Sequence, residues 1–102
     1  MKLILIILAA VGTLAAGSVA ASEKLAQANG CLTCHGIDKK LIGPGFKEIA
    51  AKYKSDKDAE AKLAQKIKAG GTGVWGTTPM PPSAHVKEDD IKALARWVMS
   101  QK

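Results

Sequence analysis

The sequence predicts an all-α fold, on three observations. Four segments space their apolar residues three and four apart, none alternates with a period of two, and Gly and Pro cluster between the segments. The chain has 102 residues, enough for one domain and too few for two with separate cores.

The first residues read as an address. Met1-Lys2 gives a short basic start, Leu3 to Val11 is an uninterrupted apolar run, and Ser18-Val19-Ala20 supplies small residues for a signal peptidase. The expectation is a signal peptide over residues 1–21, cut after Ala20 or Ala21, and an exported domain over 22–102 in a bacterial periplasm. The apolar run falls short of the roughly 20 residues that span a bilayer as a helix, so the mature chain is not expected to insert in a membrane. Beyond the leader only four aromatics remain, Phe46, Tyr53, Trp75 and Trp97. A core that thin calls for a staple. Two cysteines allow at most one disulfide, which makes a bound cofactor the better candidate.

Each helix has its own signals. Ser22 can cap a first helix running towards Asn29, with Leu25 and Ala28 on one face and Gly30 as its stop. Phe46, Ile49, Ala50 and Tyr53 follow the i, i+3, i+4, i+7 rule after Gly43-Pro44-Gly45 and give a second. The third opens at Ser55-Asp56-Lys57-Asp58, a serine with an acid three residues on, carries Leu63 and Ile67, and ends at Gly70-Gly71. In the last, Glu88, Asp89 and Asp90 sit at the positive end of the helix dipole, and Ile91, Leu94, Ala95 and Val98 form the apolar stripe that Trp97 flanks. Residues 70–86 hold four glycines and three prolines, too many for helix or central strand. A loop of that length is usually functional.

The chemistry lies in Cys31-Leu32-Thr33-Cys34-His35. A C-x-x-C-H run in an exported chain reads as attachment of a c-type haem: two sulfurs one helical turn apart each add to a vinyl of the porphyrin, and the next imidazole lies under the iron. A thiol–disulfide oxidoreductase also uses C-x-x-C, but in a βαβ setting that this chain lacks. A structural zinc site needs four ligands, and only His85 remains to complete one.

The second axial ligand follows from the remaining donors. Met1 leaves with the leader and Met99 falls near the end of the last helix, whereas Met80 sits between Pro79 and Pro81-Pro82, whose fixed φ angles lower the entropy lost on ligation. His85 is the competing ligand. Filling both axial positions would make a one-electron carrier; an open iron would make a haem enzyme or gas sensor.

With Gly43-Pro44-Gly45, Gly73-Val74-Trp75-Gly76, Pro79-Met80-Pro81-Pro82 and Leu94-Ala95-Arg96-Trp97-Val98 added to the haem motif, the chain resembles the short class I cytochromes c, especially the periplasmic cytochrome c-551 or c8 group. The resemblance implies a cytochrome c fold of about four helices around one covalent haem c (iron). It further implies a carbonyl of Pro44 oriented on His35, and a Trp75 indole bonded to a haem propionate. By the same token the chain would be a soluble electron carrier, not an enzyme, working between a respiratory donor and a terminal nitrite reductase, oxidase or peroxidase. Ser83 stands where the group often has asparagine, close to the Met80 sulfur.

Charge bears on partners. The whole chain is +6, and Lys39, Lys40, Lys47, Lys52, Lys54 and Lys57 fall in one stretch that can steer redox proteins with acidic docking surfaces, or simply keep a monomer soluble. The near absence of Arg and the export signal disfavour nucleic acid.

Overall fold

The computed structural model describes residues 22–102, so the expected signal peptide and its cleavage point lie outside the described residues. Within them the backbone is helical over residues 22–28 (α1), Cys31–Cys34 (α2), Phe46–Lys52 (α3), Ala59–Ala69 (α4) and Glu88–Met99 (α5). No β-strand forms among the described residues. Two isolated bridges, His35 with Lys40 and Gly71 with Met80, each close a loop.

The helix ends show what the local chemistry decides. Ser22 is already inside helical backbone and so does not cap α1. Of the expected face, Leu25 is half-buried and Ala28 is exposed, whereas Ala26 is fully buried in the cluster that also holds Ala95, Trp97 and Val98. A methyl is what fits where that cluster closes. Asn29 bonds back to the Leu25 carbonyl from its backbone and its side chain, at 3.1 and 2.9 Å, and Gly30 turns the chain at φ 74°.

At the start of α3 the Glu48 carboxylate accepts the Gly45 N–H at 3.2 Å, and Phe46, Ile49 and Ala50 go inward. The expected Ser55 cap of α4 is not made. Asp56 wins instead: its carboxylate accepts the Asp58 N–H at 2.8 Å and the Lys62 ammonium at 2.7 Å, and its carbonyl takes the Ala59 N–H at 3.1 Å. The helix proper therefore begins at Ala59. The hydrogen bond from Lys62, then that from the Asp58 N–H, holds the Asp56 carboxyl below the ordinary carboxylate range.

Helix α5 packs against both α3 and α4. Its buried face includes Trp97 together with Ile91, Leu94, Ala95 and Val98, so the indole belongs to the stripe and does not merely flank it. It meets the Phe46 ring edge-on, with centroids 5.1 Å apart. Phe46 carries that packing on to His35, whose ring stacks on it at 5.0 Å. The core is thus continuous with the wall of the site.

Candidate cofactor site

Helix α2 is a single turn, with Cys31 and Cys34 at its ends and both thiols free. Burial pushes the Cys31 thiol above its ordinary value, and the neighbouring Cys34 adds to that, against the opposing effect of a backbone hydrogen bond. After this turn the backbone becomes extended at His35, while the His35 N–H still donates to the Cys31 carbonyl at 3.0 Å.

The His35 ring is held from behind. Its Nδ1 lies 2.7 Å from the Pro44 carbonyl oxygen, so Nδ1 carries the proton and Nε2 keeps a free lone pair. The loop that presents Pro44 is fastened by Gly43 N–H to Cys34 O at 2.7 Å, Phe46 N–H to Gly36 O at 2.8 Å and Lys47 N–H to Ile37 O at 3.0 Å. Gly43 packs directly on the imidazole: a Cβ there would stand 2.8 Å from His35 Cε1 and 3.1 Å from Nδ1. Gly43→Ala is expected to tilt the ring, lengthen its bond to Pro44 and cost about 1–3 kcal/mol, as overpacking does. Thermal unfolding of the haem-loaded protein, with the Nδ1–H resonance as a second readout, checks it.

The facing segment is fastened as firmly. Gly71 and Met80 exchange two backbone hydrogen bonds, at 3.0 and 2.9 Å, and Ser83 N–H donates to the Ile67 carbonyl at 2.9 Å. Met80 is thereby tied to the end of α4. Gly70, at φ 69°, runs so close to this segment that a Cβ would meet Pro82 N at 2.8 Å and Pro81 C at 2.9 Å.

Between these two walls lies an open cleft of about 230 Å³, with a smaller, apolar recess of about 60 Å³ behind it. His35, Met80, Ile49, Leu63 and Lys66 line both, Cys34 opens onto the first and Cys31 onto the second. Ile42, Val74 and Trp75 stand along the cleft with 58%, 47% and 42% of their surface exposed, apolar area that a flat apolar group would cover. The donor set fits a haem: two thiols one turn apart at the edge, an imidazole with a free Nε2 and a thioether on the same apolar cleft. Neither competing donor lines it. His85 is exposed, and Met99 packs against the hydrophobic core.

Of the residues singled out in the sequence, Cys34, His35, Pro44, Trp75 and Met80 come together around the cleft, with Cys31 on the recess. Tyr53, Leu63 and Lys66 line it too. Leu63 and Tyr53 carried only a helix-stripe signal, and Lys66 carried none. The lysine stretch divides: Lys47 pairs with Asp38 at 2.8 Å, Lys40 lines the cleft, and Lys52 leans over Trp75.

The family model described as cytochrome c matches residues 19–102. The chain is 50% identical over 100 residues to cytochrome c-551 of Pseudomonas aeruginosa, covering 96% of this chain and 95% of that protein. It is 48% identical over 94 residues to cytochrome c-552 of Nitrosomonas europaea, covering 92% and 91%. The crystal structure of the wild-type Nitrosomonas europaea cytochrome c552 superposes with a TM-score of 0.76 at 49% identity, over 78% of this chain and 99% of that one.

Proposed function

The chain belongs to the cytochrome c family, takes one covalently attached haem c and carries electrons, and from that premise we propose that His35 and Met80 ligate the iron from opposite faces and that the protein shuttles single electrons in the periplasm. Its donor would be a respiratory reductase, and its acceptor a nitrite reductase, oxidase or peroxidase with an acidic docking surface. When bound, the haem supplies one iron that alternates between the ferrous and ferric states.

The chain's residues do the rest. Cys31 and Cys34 would hold the ring covalently, so the group would stay with the protein through every cycle. The Pro44 carbonyl fixes the tautomer and direction of His35. The Met80 thioether, neutral and soft, would favour the ferrous state and raise the potential. Ile49 and Leu63 line the cleft with apolar surface, which would limit reorganisation around the bound group when the charge changes. One observation carries the reading: His35 and Met80, alone among the candidate axial donors of the described residues, line the same apolar cleft, each on a backbone segment pinned by hydrogen bonds.

The described residues form no β-strand, which weighs against a thiol-redox role in the usual βαβ setting. Export by residues 1–21 belongs to the same proposal: the intact mass of the periplasmic monomer should begin at Ala21 or Ser22 and include one haem. The decisive measurement is the reaction of that protein at neutral pH with cyanide, carbon monoxide and peroxide. A low-spin spectrum with slow ligand entry and no peroxide turnover is expected. Rapid binding of either ligand with turnover would overturn the shuttle in favour of a haem enzyme or sensor.

A further inference from the structure

The His35 imidazole is held by more than its hydrogen bond. The Pro44 carbonyl fixes Nδ1 at 2.7 Å, but a single hydrogen bond leaves a ring free to swing about the line through that bond. Phe46 removes that freedom. Its ring lies on the imidazole with centroids 5.0 Å apart and planes 24° from parallel, and both side chains line the apolar recess behind the cleft.

Phe46 is braced in its turn. Trp97 meets it with planes 70° apart, and the two stand in one buried cluster with Ala26, Ile49 and Leu94. The end of α5 fastens Trp97, whose carbonyl accepts the Ser100 N–H at 3.0 Å, the Ser100 hydroxyl at 2.6 Å and the Gln101 side-chain amide at 3.0 Å. Three rings thus run in contact from the last helical turn to the proposed axial ligand. An aliphatic side chain at 46 would also be apolar enough for the core, but it has no flat face to lay on an imidazole.

We propose that Phe46 is a positioning residue that fixes the plane of the His35 imidazole at the iron, and that Trp97 holds Phe46 in place. The inference rests on His35 ligating the haem, as proposed above. Two consequences follow. The plane of an axial imidazole decides which iron d orbital receives its π density, so in the ferric protein it sets how unpaired spin is shared among the four pyrroles. A ring that swings also weakens its bond to Pro44 and becomes a poorer donor, which stabilises ferric iron less and raises the potential.

The test is proton NMR of the haem-loaded ferric protein, with the midpoint potential and the exchange rate of the His35 Nδ1–H as further readouts. The variants are Phe46→Leu, Phe46→Tyr, Trp97→Phe and Ile91→Val. Ile91 is buried but lines neither cleft nor recess, so its variant reports lost core packing alone. Phe46→Leu should redistribute the haem methyl shifts, raise the potential and speed Nδ1–H exchange about two- to tenfold, the span that an aromatic pair's contribution allows. Trp97→Phe should move the same resonances in the same direction by less, and it serves equally where Phe46→Leu does not hold its fold. Phe46→Tyr, which keeps the aromatic face, and Ile91→Val should both show the wild-type pattern. Methyl shifts of Phe46→Leu and Trp97→Phe that overlay the wild type, or that move as far in Ile91→Val, would overturn the proposal. The wild type alone separates this failure from the other: His35 ring protons shifted by the paramagnetic iron leave the ligation standing, whereas unshifted ones would overturn the ligation and this inference together.

Discussion

The chain without its haem is expected to be largely unfolded at 25 °C. Of eleven buried apolar residues among those described, four are alanines, and the only large side chain among them with under 2% of its surface accessible is Ile91. Meanwhile Leu41, Ile42, Val74 and Trp75 remain between 42% and 58% exposed. The helices cannot make up the difference, since α3 has 7 residues and α4 has 11, and isolated helices shorter than about 12–15 residues are marginal in water. A domain of this size has little stability to spare before any loss. The cofactor would then act as the missing centre of the core, in a cleft lined by Ile49, Leu63 and His35 and, from the glycine-rich loop, by Met80 and Trp75. Cys34→Ala should reduce or abolish stable haem incorporation, and Cys31→Ala/Cys34→Ala made without haem should show low helicity by circular dichroism and no cooperative melt. A cooperative transition within about 2 kcal/mol of the haem-loaded protein would show that the polypeptide core suffices.

The same thinness explains what was legible in the sequence. Helices α3 and α5 carry their large apolar residues on one face, and the periodicity of Phe46, Ile49, Ile91, Leu94 and Val98 reads directly as burial. The rotation of α1 did not read so, because the residue that fits the core is Ala26, and an alanine gives almost no periodic signal. The start of α4 turned on a competition between neighbouring side chains. Ser55 had the spacing of a cap, but Asp56 accepts both the Asp58 N–H and the Lys62 ammonium, and a charged acceptor with two donors outweighs a hydroxyl. In the site, the candidate donors that line the cleft stood out in the sequence because C-x-x-C-H and the proline-flanked methionine are local patterns. The residues that aim them were not. Gly43 against His35 and Gly70 against Pro81 and Pro82 are close approaches across the fold, and no spacing along the chain encodes them.

Met80→Ala is expected to keep the fold and the covalent haem while changing the iron. The backbone pairing of Met80 with Gly71 uses only main-chain atoms, and Pro79, Pro81 and Pro82 hold their own φ angles, so the loop should survive loss of the side chain. What goes, on the ligation proposed above, is the neutral sulfur that would face His35 across the iron. The potential should drop by a few tenths of a volt, inside the roughly 0.8 V span that axial ligands command. Carbon monoxide and cyanide should now bind quickly, since no donor blocks that face. Stability should fall by no more than the ~2–5 kcal/mol of a buried Met→Ala change, because Met80 is only partly buried. His85→Ala is the matched control: that residue is exposed and away from the cleft, and its variant should have the wild-type spectrum and potential. If Met80→Ala leaves the spectrum and potential unchanged while His85→Ala moves them, the histidine must reach the iron by a rearrangement of residues 79–86, and the thioether is not the ligand.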